Sequence, residues 1–286
     1  MKCGLCPRLC GADRDAGQTG ICGADNRIRI ARIAPHYWEE PCISGKNGSG
    51  AIFFSGCQLR CVFCQNAAIS RRTVGKTYSC EQLADDMISL EQTGVHNINL
   101  VTPTHYVPQI IAALDIARPR VPVVYNTSGY ELADTLRMLG GRVSVFLPDY
   151  KYHSQQLAKR YSNAEDYPQV AISAIAEMVK IAGAPQFDKD GMIKRGVIVR
   201  HLVLPGCADD SMRALRELHT RFGSDIMISI MNQYTPMPGA PAELSRSVTD
   251  DEYELVLDYA DHLGITFGYR QEGGTVGESF IPDFDV

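Results

Sequence analysis

The sequence predicts an α/β fold built on a parallel sheet, and three observations carry that reading. Short β-branched or otherwise apolar runs recur at residues 51–54, 98–101, 121–125, 143–147, 196–204 and 226–231. Helical periodicity separates them. The polar residues with useful chemistry fall directly after the runs. Short apolar strands alternating with helices are what a buried parallel sheet needs, because right-handed crossovers cover its faces. Periodicity alone leaves two architectures open, a doubly wound sheet and a barrel.

The elements follow in order. Residues 27–33 alternate apolar and basic side chains, as a half-buried strand does. His36-Tyr37-Trp38-Glu39-Glu40-Pro41-Cys42 carries the only Trp, and Ser44-Gly45-Lys46-Asn47-Gly48-Ser49-Gly50 reads as a glycine-rich turn. The turn lacks the order of a phosphate loop and precedes a strand rather than following one. Ser79-Cys80-Glu81-Gln82 has capping-box spacing, and Leu83, Met87 and Leu90 then mark one helix face. Later helices are expected after the second strand, through Leu139, up to residue 182 and over 211–222. Thr249-Asp250-Asp251-Glu252 repeats the capping box and opens the last helix, with a short strand expected at 265–268.

Composition bounds the function. A chain of 286 residues with 45% hydrophobic and 21% charged residues is long enough for one large domain with an appendage. A net charge of −5 argues against a nucleic-acid partner. No apolar run reaches membrane-span length and no signal peptide opens the chain, so a soluble cytoplasmic protein without membrane contact is expected.

Ten cysteines need explaining in a reducing compartment, where clustered thiols read as metal or redox sites. Seven fall in two groups. Cys3, Cys6, Cys10 and Cys22 lie in a segment too poor in apolar residues to fold unaided. They suit a zinc knuckle or an iron–sulfur cluster, with zinc the slightly favoured reading. Cys57, Cys61 and Cys64 lie on the loop after the first strand of the repeat. Three thiols leave one iron of a four-iron cluster open to a chelating small molecule. Cys42, Cys80 and Cys207 stand alone and read as buried hydrophobes.

Cys57-x-x-x-Cys61-x-x-Cys64, with Phe63 before the last Cys, resembles the signature loop of radical S-adenosylmethionine (SAM) enzymes. Within that superfamily the chain resembles the uncharacterised branch related to pyruvate formate-lyase-activating enzyme. The resemblance rests on the amino-terminal Cys-x-x-Cys-Pro-x-x-Cys, on Ile43-Ser44-Gly45 through Gln65-Asn66, and on the six strand–helix units. It implies a partial (β/α)6 TIM-like barrel over 51–286, preceded by a small cysteine-rich metal-binding module and connector over 1–50.

The resemblance also implies a [4Fe-4S] cluster on Cys57, Cys61 and Cys64, with SAM chelating the fourth iron. One electron entering the sulfonium then yields methionine and a 5′-deoxyadenosyl radical that abstracts hydrogen from substrate. Phe63 is expected as an aromatic wall near the adenine. Thr104 and His105 stand where activating enzymes carry Gly-Gly-Glu and are expected to meet the SAM amino group. Asp149 and Lys151 resemble the family's Asp-x-Lys, and Arg200 its fifth-strand arginine facing the methionine carboxylate. Asn126 completes the expected rim together with Asn232 and Gln233, which end the sixth strand and are expected to face the adenine and ribose.

Plainer readings stand beside these: a capped loop histidine for His105, a surface ion pair for Asp149 and Lys151, a barrel-wall ion pair for Arg200. The reaction expected is that of an oxidoreductase of the activating-enzyme kind, with a glycyl-radical enzyme as its target. Direct modification of a peptide or small molecule is one alternative, and a metal-binding or electron-transfer protein that does not cleave SAM another. Expected partners are a reductant such as flavodoxin or ferredoxin and a protein or peptide substrate.

Overall fold

The computed structural model describes residues 2–271 and Phe284. Its framework is a sheet whose central strands run parallel: β2 (Ser49–Phe54), β4 (Ile98–Val101), β5 (Val123–Thr127), β6 (Val145–Pro148), β8 (Ile193–Leu202), β9 (Met227–Met231) and β10 (Gly268–Arg270). Two antiparallel strands, β1 (Ile28–His36) and β3 (Lys76–Tyr78), extend the β2 edge, and β7 (Gln186–Phe187) pairs antiparallel with β8. The expected strand at 27–33 is therefore part of the sheet. Among the described residues β10 does not pair with β1 or β3, so the sheet stays open.

Helices cross between the parallel strands. They are α3 (Cys80–Gln92), α4 (Val107–Ala117), α5 (Ala133–Arg137), α6 (Gln155–Ser162), α7 (Tyr167–Ala182), α8 (Ala208–Phe222) and α9 (Asp250–His262). Short turns α1 (Pro41–Ser44) and α2 (Ala67–Ser70) flank β2 and the cysteine loop. Both capping boxes form. Ser79 accepts from the Gln82 N–H at 3.2 Å, and Thr249 from the Glu252 N–H at 3.2 Å. No helix among the described residues is long and apolar enough to cross a membrane.

Strand periodicity divides the core in two. Val123 and Tyr125, Phe146, Val197 and Val199, Ile228 and Ile230 face the helices and pack with Met87, Ile110, Ile175, Leu215 and Val256. The alternate residues Val124, Val145, Leu147, Ile198 and Met227 face the other way and enclose Cys42 and Ile43 of α1. The stretch before β2 is thus more than a connector. Pro41 starts a single helical turn, and Ile43, fully buried, plugs the concave side of the sheet.

Three expected strands are displaced by about two residues toward the carboxyl end: β5, β6 and β10. Asn126 has weak β propensity, yet it sits in the ladder because it pairs with Val101 on one side and Leu147 on the other.

Residues 3–27 contain no helix or strand. This cysteine-bearing segment lies against the outside of the cysteine loop and is fastened by arginines. Arg8 donates to the carbonyls of Gln58 and Ser162, each at 2.9 Å. Arg14 donates to the carbonyls of Asp25 and His105.

Candidate functional site

The concave face changes character toward the carboxyl ends of the strands. One step of period two beyond Val124, Leu147, Ile198 and Met227 come Asn126, Asp149, Arg200 and Ser229 on the same face. Register aligns three of them: Asp149 bridges Arg200, and Arg200 pairs with Ser229. An apolar floor thus gives way to a polar row lining a cavity of about 480 Å³.

Arg200 organises that row. Its Nη1 donates to Glu39 Oε2 at 2.9 Å, its Nε to Asp149 Oδ1 at 3.1 Å, and its Nη2 to Asn126. Lys151 Nζ donates to the other Asp149 oxygen at 2.6 Å. Glu39 Oε1 accepts from Asn99 at 2.9 Å and Asn126 at 3.1 Å. Burial alone would raise the Asp149 carboxyl, but Lys151 and Arg200 outweigh it and hold the group below its usual range. Lys151, in turn, is held charged by Asp149 against the cost of burial. The Glu40 carboxyl also lines the cavity and is pushed up, chiefly by burial.

The cysteine loop forms the opposite wall. Gly56, at φ +89°, turns the chain out of β2, and a Cβ there would meet the Cys22 carbonyl at 2.6 Å. Cys57, Cys61, Phe63 and Cys64 then line the cavity. Phe63 is 5% exposed and stands edge-on to Tyr152, Tyr161 and Tyr234, so it is both wall and core.

Each loop sulfur accepts one hydrogen bond. Cys57 accepts from the Leu59 N–H at 3.4 Å, Cys61 from the Ser162 hydroxyl at 3.1 Å, and Cys64 from the Ser70 hydroxyl at 3.3 Å. Burial pushes the Cys57 thiol up to about 12 and also raises that of Cys61. Three sulfurs, each with one donor and with Lys151 acting on Cys61, suit thiolates bound to an iron–sulfur cluster. Among the described residues, no three His, Cys, Asp or Glu side chains are arranged to hold a single metal ion.

Most of the residues expected from the sequence meet in this cavity: Cys57, Cys61, Phe63, Cys64, Asn126, Asp149, Lys151 and Arg200. Three do not line it. Thr102, at φ +58°, is the cavity residue of its loop, and the chain then turns away through the one-turn helix Thr104–Tyr106. Thr104 is wholly buried behind the wall, donating to Glu131 and accepting from Gln58 Nε2 at 3.0 Å. His105 points to the amino-terminal side, its Nε2 at 2.7 Å from the Ser55 carbonyl, and burial lowers its pKa to about 4. At Asn232 the backbone N–H bonds Gln271 Oε1 at 3.0 Å, and the neighbouring wall residue is Gln233.

Glu39, Glu40 and Ser229 were not anticipated. The available signal was the pair of adjacent acids immediately before Pro41, a residue that opens a helical turn.

An uncharacterized protein of Methanocaldococcus jannaschii is 26% identical over 279 residues, covering 94% of this chain and 77% of its own. A radical SAM methyltransferase from Sphaerobacter thermophilus shares the fold at a TM-score of 0.56 and 15% identity, over 80% of this chain and 67% of its own. Streptococcus suis SuiB, in a structure bound to S-adenosylmethionine, shares it at 0.53 and 12% identity, over 77% of this chain. This chain spans about half of SuiB, 49%. The model of the radical SAM superfamily matches residues 51–219, more than half of the chain, and the protein belongs to that superfamily.

Proposed function

We propose that the protein is a radical SAM enzyme that cleaves S-adenosylmethionine reductively at a [4Fe-4S] cluster held by Cys57, Cys61 and Cys64. The observation that carries this reading is the facing of two walls across one cavity: three hydrogen-bonded sulfurs on one side, and the Glu39–Arg200–Asp149–Lys151 row on the other. Held by these three sulfurs, a [4Fe-4S] cluster would supply the single electron for reductive cleavage of the SAM sulfonium and so the radical chemistry on substrate.

The chain's own residues bind and orient. Arg200 presents a fixed guanidinium to the cavity, suited to the methionine carboxylate of SAM. The carboxylates of Asp149 and Glu39 suit its ammonium. Phe63 offers an apolar face for the adenine, braced by three tyrosines. Leu202 and Met231, above the polar row, keep the upper wall apolar and so limit water near the reacting centre. Homolytic chemistry needs no general base, and the paired charges of the row supply none.

For the substrate we infer direct modification of a small molecule or peptide. The solved neighbours include a methyltransferase and SuiB, the latter also known bound to its precursor peptide SuiA. Activation of a glycyl-radical enzyme, and the activating-enzyme branch itself, find no support in these likenesses. A flavodoxin- or ferredoxin-type reductant remains the expected electron source.

Anaerobically reconstituted protein given SAM and dithionite should release 5′-deoxyadenosine and methionine. Replacing Cys57, Cys61 or Cys64 singly by Ala should abolish that release. Survival of turnover in all three variants would remove the loop from the chemistry.

A further inference from the structure

The four amino-terminal cysteines do not line the cavity, and the structure puts them directly behind the cysteine loop. Cys3, Cys6 and Cys22 act on one another electrostatically, and Cys10 acts on Cys22, so the four thiols form one group. The sulfurs of Cys10 and Cys22 converge on Gly20, where an added Cβ would sit 2.6 Å from one and 3.9 Å from the other. The backbone folds back on itself to bring them there. Cys3 donates its N–H to Ala12 at 2.9 Å, and a turn closes between Leu9 and Cys6 at 3.0 Å. Cys10 is exposed and Cys3 partly so, whereas Cys6 and Cys22 are buried. The group therefore runs from the surface inward.

Its inner end touches the loop. The Cys22 carbonyl accepts the Cys57 N–H at 3.3 Å. That contact leads from the Cys22 sulfur through its own backbone, across one hydrogen bond, to the Cys57 sulfur.

The geometry points to a second iron–sulfur cluster on Cys3, Cys6, Cys10 and Cys22 that relays electrons to the Cys57–Cys61–Cys64 site through the Cys22–Cys57 contact. The relay is a one-electron step. An external low-potential donor gives one electron to the amino-terminal cluster, which is reduced and then reoxidised as the electron passes to the loop cluster; no bond in the chain forms or breaks. The inference rests on the proposed function only for the identity of the acceptor, and the iron content of the amino-terminal group is read separately.

The full-length Cys57→Ala/Cys61→Ala/Cys64→Ala variant, reconstituted anaerobically, isolates the new site. It should hold about four irons and four sulfides, no zinc, and after dithionite an electron paramagnetic resonance signal that SAM leaves unchanged. The complementary variant Cys10→Ala alters an exposed position. It should drop from about eight irons to about four, keep the SAM-responsive signal, and accept electrons from reduced flavodoxin at least tenfold more slowly than the wild type. One zinc and no iron in the triple variant would overturn the cluster, as would a full iron count in Cys10→Ala. Unchanged reduction of the loop cluster in Cys10→Ala would overturn the relay. Iron at the amino-terminal site with no 5′-deoxyadenosine from the wild type would instead sink the proposed function and leave the second cluster standing.

Discussion

Asn126 and Thr127 are neighbours in the chain and end in opposite chemistry. Asn126 faces the cavity, where it joins Glu39 and Arg200 in a network of paired charges. Thr127 faces the helices, where its hydroxyl and that of Thr104 both donate to one oxygen of Glu131. Glu131 is 2% exposed and has no cation among those partners. Burial pushes it up to about 7, with the hydroxyls of Thr104, Thr127 and Tyr125 opposing the shift. Asp149 keeps its charge because the Lys151 ammonium and the Arg200 guanidinium face it, whereas Glu131 is met by hydroxyls alone and burial wins. Side-chain alternation along a single strand separates a site poised for an ionic ligand from a structural lock.

Removing the centre of the cavity network should have the largest effect. Arg200→Met leaves Glu39 and Asp149 facing each other without their shared cation, a loss on the order of 3–5 kcal/mol for a largely buried arrangement. Urea denaturation should show that drop, and 5′-deoxyadenosine release should fall below detection. Adding Glu39→Gln to Arg200→Met should restore part of the stability but none of the activity. A single variant that loses less than about 1 kcal/mol would mean that the row does not hold the cavity together.

The two regions should answer pH in opposite directions. The folded-state pKa of Glu131, about 7, lies above its ordinary value of 4.5. Its protonated form is therefore favoured by folding, with the contribution fully present below 4.5 and lost as pH rises toward 7. The shift corresponds to about 3 kcal/mol as an upper figure. Asp149 is lowered instead, so its contribution is present above 3.8 and disappears as pH falls through its depressed folded pKa. Glu131→Gln keeps the hydrogen bonds and cannot ionise. The stability of the wild type relative to this variant should decline between pH 4.5 and 7 and be level above it. A constant difference across that window would show that Glu131 is ionised throughout.

The sheet was legible from the chain because β2, β4, β5, β6 and β9 are short runs buried on both sides, and both capping boxes are local signals. The polar row was legible in part for the same reason: Asn126, Asp149 and Arg200 all follow or end such runs. What sequence order does not encode is which way the chain turns on leaving a strand. Thr102 adopts positive φ, so Thr104 and His105, two and three residues on, turn away from the cavity, Thr104 to Glu131 on the helix side and His105 to the Ser55 carbonyl. Glu39 and Glu40 were hidden differently. They belong to no strand end of the repeat, and only the docking of Ile43 onto Val124, Leu147 and Ile198 brings them beneath Arg200. The contact between Cys22 and Cys57 spans two separated segments and has no sequence signature.

The smallest expected effect tests that turn at Thr102 most sharply. Thr104→Val preserves shape and removes one of the hydroxyls on Glu131, which should cost about 1–2 kcal/mol and raise the Glu131 pKa further. Thr104 is wholly buried on the helix side, so equilibrium binding of SAM to the reconstituted variant should match the wild type. A tenfold loss of SAM affinity with little change in stability would bring Thr104 back to the ligand, as the resemblance to activating enzymes first implied, and would require the 102–105 loop to swing through the wall that separates the two networks.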